Sequence, residues 1–257
     1  MIPDTAFLVR LADAAARETL PRFRTGTAVT NKLSGGFDPV TEADRAAESV
    51  IRTMIAETYP DHGILGEEHG SEGADRDHVW VIDPIDGTRA FISGLPVWGT
   101  LVGFYQEGRA MMGVMDQPFI GERFVADGTK ARYRGPAGES VLAVRDCQNL
   151  ANATLFTTSP KIFAGDRIEA YEEVERAVTL ARYGCDCYAY SLLAGGHIDI
   201  VIESGLKAYD IGALIPIIEQ AGGIVTTWDG GRPEAGGDII ACGSAAVHGE
   251  ALELLKR

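Results

Sequence analysis

Two carboxylates three residues apart, Asp83 and Asp86, stand in the run Trp80-Val81-Ile82-Asp83-Pro84-Ile85-Asp86-Gly87-Thr88, shortly after the acidic pair Glu67-Glu68. An apolar segment of strand character, Val79 to Ile82, delivers them into a turn made by a proline and a glycine. Such a set makes a poor core and a good hard-cation site. Magnesium takes oxygen ligands in near-octahedral geometry and keeps several waters. Gly87 and Thr88 would begin a short helix through Arg89-Ala90-Phe91-Ile92, whose first N–H groups can hold a phosphate beside the metal. Carboxylates next to a helix N-terminus point to phosphoryl chemistry. Asp-Pro-x-Asp-Gly is equally an ordinary turn, because Gly, Pro and Asp favour turns for local reasons.

The elements around this stretch have to position it. Asp4 or Thr5 can cap a first helix to about Leu20, with Phe7, Leu8, Leu11, Ala14 and Ala15 apolar. Lys32 to Val40, with paired glycines and a proline, reads as a loop free to close over a substrate. Thr41-x-x-Asp44 opens a second helix to about Glu57, and the two residues read there as a capping pair. The run from Ile64 reads as a short strand ending at Gly66-Glu67-Glu68, adjacent carboxylates that repel unless a cation or solvent intervenes. Thr100 to Tyr105, Ala110 to Met115 and Arg123 to Ala126 predict an antiparallel meander.

The loop Gly135-Pro136-Ala137-Gly138 divides an N-terminal α+β subdomain, residues 1–137, from a C-terminal α/β subdomain, residues 138–257. The second half alternates strands and helices. Helices are expected over Arg167 to Leu180, Tyr188 to Ala194, Ile211 to Gln220 and Ala246 to Lys256. Strands are expected over Ala153 to Thr158, Asp199 to Glu203, Ile224 to Thr227 and Ile239 to Cys242. Asp210 reads as the N-cap of the third of these helices.

Bulk properties narrow the function classes. The 257 residues, 46% apolar and 23% charged, suffice for a large core in two packed subdomains. A formal charge of −14 with scattered Lys and Arg argues against a nucleic-acid or anionic-membrane partner. Cys147, Cys185, Cys187 and Cys242 lack scaffold or zinc-ribbon spacing and read as packed thiols. No signal-peptide pattern or membrane-length apolar run is present, which places the protein in the cytoplasm as an expectation.

The order of the motifs carries more than any one of them. Asp38-Pro39-Val40-Thr41-x-x-Asp44, Gly66-Glu67-Glu68, Asp83-Pro84-Ile85-Asp86-Gly87-Thr88 and Asp210 ahead of a helix ending Ala221-Gly222-Gly223 resemble the inositol monophosphatase family of magnesium-dependent, lithium-sensitive phosphatases. The resemblance spans nearly the whole chain. It implies a mixed α+β and α/β fold, a layered αβαβα sandwich, and a homodimer. It implies two or three magnesium ions: one on Glu67, Asp83 and the Ile85 carbonyl, a second on Asp83, Asp86 and Asp210, and a third, weaker one near Glu67 and the loop. Paired metals roughly 3.5–4 Å apart can clamp the attacking and leaving oxygens of an in-line displacement and acidify a water. By the same resemblance Thr88 and Asp44 orient and deprotonate that water, while Gly87 and Thr88 N–H groups hold the phosphate.

The substrate is implied by departures from the generic inositol enzymes. These have a small neutral residue where this chain has Asp186, and Thr or Ser with Asn-Phe where it has Arg89-Ala90-Phe91. Gly36-Phe37-Asp38-Pro39, Thr88-Arg89-Ala90-Phe91, Trp98-Gly99-Thr100-Leu101 and Gly205-Leu206-Lys207-Ala208-Tyr209-Asp210-Ile211 are similar to the histidinol-phosphate phosphatase branch. That implies hydrolysis of a small phosphate monoester, L-histidinol phosphate, in histidine biosynthesis, with an inositol or sugar monophosphate as the alternative. A substrate carrying an ammonium group and an imidazole needs carboxylates beyond those on the metals. Asp186 and Glu203 are the candidates, although Asp186 also reads as a capping or surface acid and inositol enzymes place an acid at the position of Glu203. Arg182 is either a substrate contact or the partner of a neighbouring acid.

Overall fold

The strand that carries Asp83 is buried along almost its whole length, because Val79, Trp80, Val81 and Ile82 send alternate side chains into two different cores. A computed structural model describes residues 1–26, 29–31 and 39–256. The loop expected from Lys32 therefore lies outside the described residues, except for its end at Pro39. In chain order the first half comprises α1 (Thr5–Thr19), β1 (Val29–Asn31), β2 (Pro39–Thr41), α2 (Glu42–Thr58), β3 (Gly63–Gly66), β4 (Gly70–Glu72), β5 (His78–Asp86), α3 (Thr88–Ile92), β6 (Gly99–Gln106), β7 (Arg109–Gln117), β8 (Glu122–Ala126), β9 (Ala131–Gly135) and β10 (Gly138–Val141). The second half comprises β11 (Thr154–Thr157), α4 (Asp166–Ala177), β12 (Leu180–Tyr183), α5 (Asp186–Ala194), β13 (Ile200–Lys207), α6 (Ala208–Ile211), α7 (Leu214–Glu219), β14 (Ile224–Thr227), β15 (Gly236–Cys242) and α8 (Ala245–Leu255).

Among the described residues the strands form a two-stranded ribbon, an eight-stranded sheet ordered β10-β9-β8-β7-β6-β5-β3-β4, and a five-stranded sheet ordered β12-β11-β13-β15-β14. In the larger sheet only the β3–β5 pair is parallel, so the expected meander stands and is longer than its three core strands. α1 and α2 cover its outer face, burying Phe7, Leu8, Leu11, Ile51 and Ile55 against Trp80, Val102 and Phe104. Each such large side chain contributes about 1.5–3 kcal/mol on leaving water. α5 and α7 lie between the sheets, and α4 and α8 close the far side of the smaller one. The layers are therefore α, β, α, β, α, as the motif order implied.

Several boundaries differ from expectation for local reasons. β10 pairs with β9, so the larger sheet runs on to Val141 and the Gly135 to Gly138 turn joins two of its strands. The helix expected to reach Leu180 stops at Ala177, because β-branched Val178 turns extended and Leu180 pairs with Thr154 on β11. The helix expected over Ile211 to Gln220 divides into α6 and α7 at Gly212. There the chain presses on the larger sheet with no side chain between. A β-carbon on Gly103 would lie 2.9 Å from the Gly212 carbonyl, and one on Gly113 only 2.2 Å from the Ala213 oxygen. This glycine seam joins the two halves beside the end of β5.

Candidate active site

The end of β5 is bent by its own sequence. Asp83 pairs with Leu101 and Asp86 with Gly99, three steps on β5 against two on β6, which is a bulge. Pro84 has no N–H for the ladder, its carbonyl accepts the Thr100 hydroxyl at 2.8 Å, and Asp83 Oδ1 accepts the Ile85 N–H at 3.1 Å. Gly87 follows at φ +82, in the left-handed region that favours glycine, and caps α3. Its missing β-carbon also leaves room for Asp186, whose Cβ and Oδ2 would lie 3.0 Å away from one.

Two further segments bring acids to this bend. Glu67 follows β3, its N–H donating to the Ile82 carbonyl at 3.1 Å, and its side chain shares a hydrogen bond with Asp83. Asp210 is the third residue of α6 and not its N-cap as expected: Lys207 holds that position, and Asp210 reaches back to accept the Lys207 N–H at 2.6 Å. Asp83, Asp86 and Asp210 present carboxylate oxygens within 4.8 Å of one another. Burial, then the charges of Glu67, Asp86 and Asp210, push the Asp83 carboxyl well above the usual carboxylate range. Asp86 is raised in the same direction by burial and by Asp186 and Asp210, against the pull of the Cys187 N–H, which donates to its Oδ2 at 2.7 Å. These carboxylates ionise together only with cations among them, and an all-oxygen donor set suits a hard divalent ion such as magnesium. The Ile85 carbonyl, between Asp83 and Asp86 in the chain, accepts the Thr88 hydroxyl at 3.2 Å.

On the outer side stands Asp44, which proves to be both a cap and a neighbour of Thr88. Its Oδ2 accepts the Thr41 N–H at 2.8 Å and the Thr41 hydroxyl at 2.6 Å, while Thr41 Oγ1 accepts the Ala43 N–H at 3.1 Å. That leaves Oδ1 facing the Thr88 hydroxyl at 3.5 Å. Burial raises the Asp44 carboxyl to about 6 despite the hydrogen bonds from Thr41. A base of this strength is matched to proton transfer near neutral pH.

The opposite wall holds the remaining candidates. Asp186 is the first residue of α5, with a backbone φ of +44, and burial raises it to about 6 against the opposing charge of Arg89. Glu203 on β13 is buried, accepts the Thr158 N–H at 2.5 Å, and is raised to about 8 by burial, with Asp186 close enough to add to the effect. Arg89 is exposed on α3. Arg182, exposed on the edge strand β12, acts on Cys185. All four cysteines are free. Cys187 was read only as a packed thiol, yet its N–H holds Asp86. Starting α5 at Asp186 instead of Tyr188 would have placed that donor at a helix N-terminus.

The sequence model of the inositol monophosphatase family matches residues 2–257. The chain belongs to this family. Its members are phosphatases that use magnesium. Among curated relatives, the chain is 42% identical to the chloroplastic bifunctional phosphatase IMPL2 of Arabidopsis thaliana, over 96% of this chain and 73% of that protein. It is 32% identical to a histidinol-phosphatase of Chlorobaculum parvum, over 96% and 94% of the two chains. Among solved structures, an inositol monophosphatase of Zymomonas mobilis superposes with a TM-score of 0.86 at 37% identity, covering 98% of this chain and 97% of that one. Family membership accounts for the five layers. Among the described residues no helix is long and apolar enough to cross a membrane.

Proposed function

We propose that this chain is a magnesium-dependent phosphomonoesterase whose substrate carries a cationic leaving group, most simply L-histidinol phosphate released as L-histidinol and phosphate. The observation that carries this reading is Asp186, a carboxylate beyond the Asp83, Asp86, Asp210 cluster that packs directly on the glycine before α3, with Glu203 close enough to feel its charge. Similarity to a protein named histidinol-phosphatase supports it. In this reading Glu67, Asp83, Asp86, Asp210 and the Ile85 carbonyl would hold two magnesium ions, and a third, weaker one would lie near Glu67. Bound magnesium supplies positive charge to the phosphoryl oxygens and lowers the pKa of the attacking water.

The chain's own groups then do the rest. Thr88 Oγ1 accepts a hydrogen bond from the water and relays its proton to Asp44 Oδ1, an acid whose pKa of about 6 makes it a usable base. The N–H groups of Gly87 and Thr88 orient the phosphate. Asp186, ionised near neutral pH, receives the ammonium, with Arg89 beside it, and Arg182, near Cys185, is proposed as a further substrate contact. Histidine biosynthesis, a cytoplasmic location, a homodimer and lithium inhibition accompany this assignment.

One observation favours a second reading, an inositol or sugar monophosphate phosphatase. Glu203, raised to about 8, is largely protonated at pH 7 and suited to hydrogen-bonding a hydroxyl. The ratio of kcat/KM for histidinol phosphate against inositol 1-phosphate decides between them, because it measures differential transition-state binding. A large ratio in magnesium, abolished by chelation, supports the first reading. Comparable values replace it with the second, and metal-independent activity removes both.

A further inference from the structure

Glu48 is a fully buried carboxylate with no part in the chemistry assigned above. It lies on α2 one turn after Asp44, so the two acids share the inward face of that helix. Its Oε2 accepts the Glu68 N–H at 2.7 Å. Its Oε1 accepts the His69 N–H at 3.1 Å and the Arg52 guanidinium at 3.2 Å, and Arg52 also donates to the Gly70 carbonyl at 3.1 Å. The backbone is therefore clamped on both sides of Glu67. Its own N–H is tied to β5 through Ile82, and the next two N–H groups are tied to Glu48. The fit leaves no slack, since a β-carbon on Gly66 would lie 2.0 Å from Glu48 Oε1. A neutral, apolar residue at position 48 would take away the acceptor of two part-buried N–H hydrogen bonds.

We infer that Glu48 is a positioning residue for the metal site: by holding the turn after Gly66 it fixes the Glu67 carboxylate beside Asp83 and so sets the affinity for magnesium. The inference rests on Glu67 being a ligand. Glu48→Gln keeps the shape but can accept only through its single carbonyl oxygen, so one backbone N–H meets an amide donor. Glu48→Asp keeps the charge for Arg52 and withdraws both oxygens by one methylene.

The experiment is equilibrium titration of the full chain with Mg2+ by calorimetry, or with Mn2+ by EPR, alongside the Tm of each protein in chelator. Both Glu48 variants are expected to bind metal about 10–100-fold more weakly, as losses of groups that orient metal ligands do. If Glu48→Gln does not fold, Glu48→Asp carries the measurement. A lowered Tm with wild-type metal affinity assigns Glu48 a structural role only and overturns the inference. Glu67→Gln separates the two layers of the argument. Weakened binding there with unchanged binding in the Glu48 variants removes the positioning role alone, whereas unchanged binding in all three removes Glu67 as a ligand.

Discussion

Replacing Gly87 by alanine tests the join between the phosphate turn and the substrate wall with one methyl group. The residue sits at φ +82, where a non-glycine residue costs roughly 1–2 kcal/mol. The added carbon would also stand 3.0 Å from both the Cβ and Oδ2 of Asp186 and 3.1 Å from its Cγ. Relief requires moving the start of α5, and overpacking of this kind typically costs about 1–3 kcal/mol. The sum is roughly 3 kcal/mol, which for a chain of this size lowers Tm by about 6–12 °C. Differential scanning calorimetry in chelator measures it. A second substitution isolates the contact, because Asp186→Gly removes the opposing side chain and tolerates the φ of +44. In that background Gly87→Ala should cost only the backbone share, giving a coupling of roughly 1–2 kcal/mol between the two positions. Additive effects in the double mutant would show that the residues do not touch, and the assignment of Asp186 to the site wall would fall with them.

Other perturbations follow from the electrostatics. Asp83→Asn should nearly abolish turnover, yet leave Tm in chelator unchanged or raised, because burial and three acids already disfavour the charge it removes; a large loss of stability in chelator would contradict this. Glu203 has a folded pKa of about 8 against an ordinary 4.5, so the stability it contributes is complete below pH 4.5 and is lost as pH rises through 8. In chelator Glu203→Gln should therefore be more stable than the wild type at pH 8, by about 2–4 kcal/mol, and lose most of that advantage at pH 5. An advantage independent of pH would refute it. His62 is held neutral by burial, its pKa lowered to about 4, and its Nδ1 accepts the Trp80 indole N–H at 3.1 Å. Its contribution is complete above pH 6.5 and is lost between 6.5 and 4, so His62→Gln should flatten the acid limb of Tm against pH. An identical limb in the variant would exclude His62 as its source.

Much of this arrangement is written in short-range sequence, and the exceptions have physical causes. The strand into Asp83, the turn at Pro84 and Gly87, and the cap at Thr41 and Asp44 were legible because each depends on neighbours within four residues. Local pattern read Asp44 only as a cap; its pairing with Thr88 was implied by the family resemblance alone, since that contact joins residues 44 positions apart. The start of α5 was placed two residues late because Asp186 enters the helix with a positive φ that no propensity favours. β12 was missed, with its first residue Leu180 taken as the end of the preceding helix, because only its pairing with β11 makes it a strand. Glu48 went unremarked although the spacing from Asp44 puts a second acid on the buried face of α2. A charge where a helix should be apolar was the available signal.

The seam at Gly103, Gly113 and Gly212 has a consequence for how far this protein can vary. Between most packed elements the separation is negotiable, since exchanging valine for leucine on either surface shifts it by a fraction of an ångström. At the seam there is nothing to exchange, because main chain rests on main chain. Asp210 is anchored two residues before that contact and Asp83 faces Leu101, two residues before Gly103. The gap between the acids from the two halves is thus gauged by peptide groups, whose dimensions do not mutate. Outer layers can drift in sequence while the distance between the halves of the acidic cluster stays fixed.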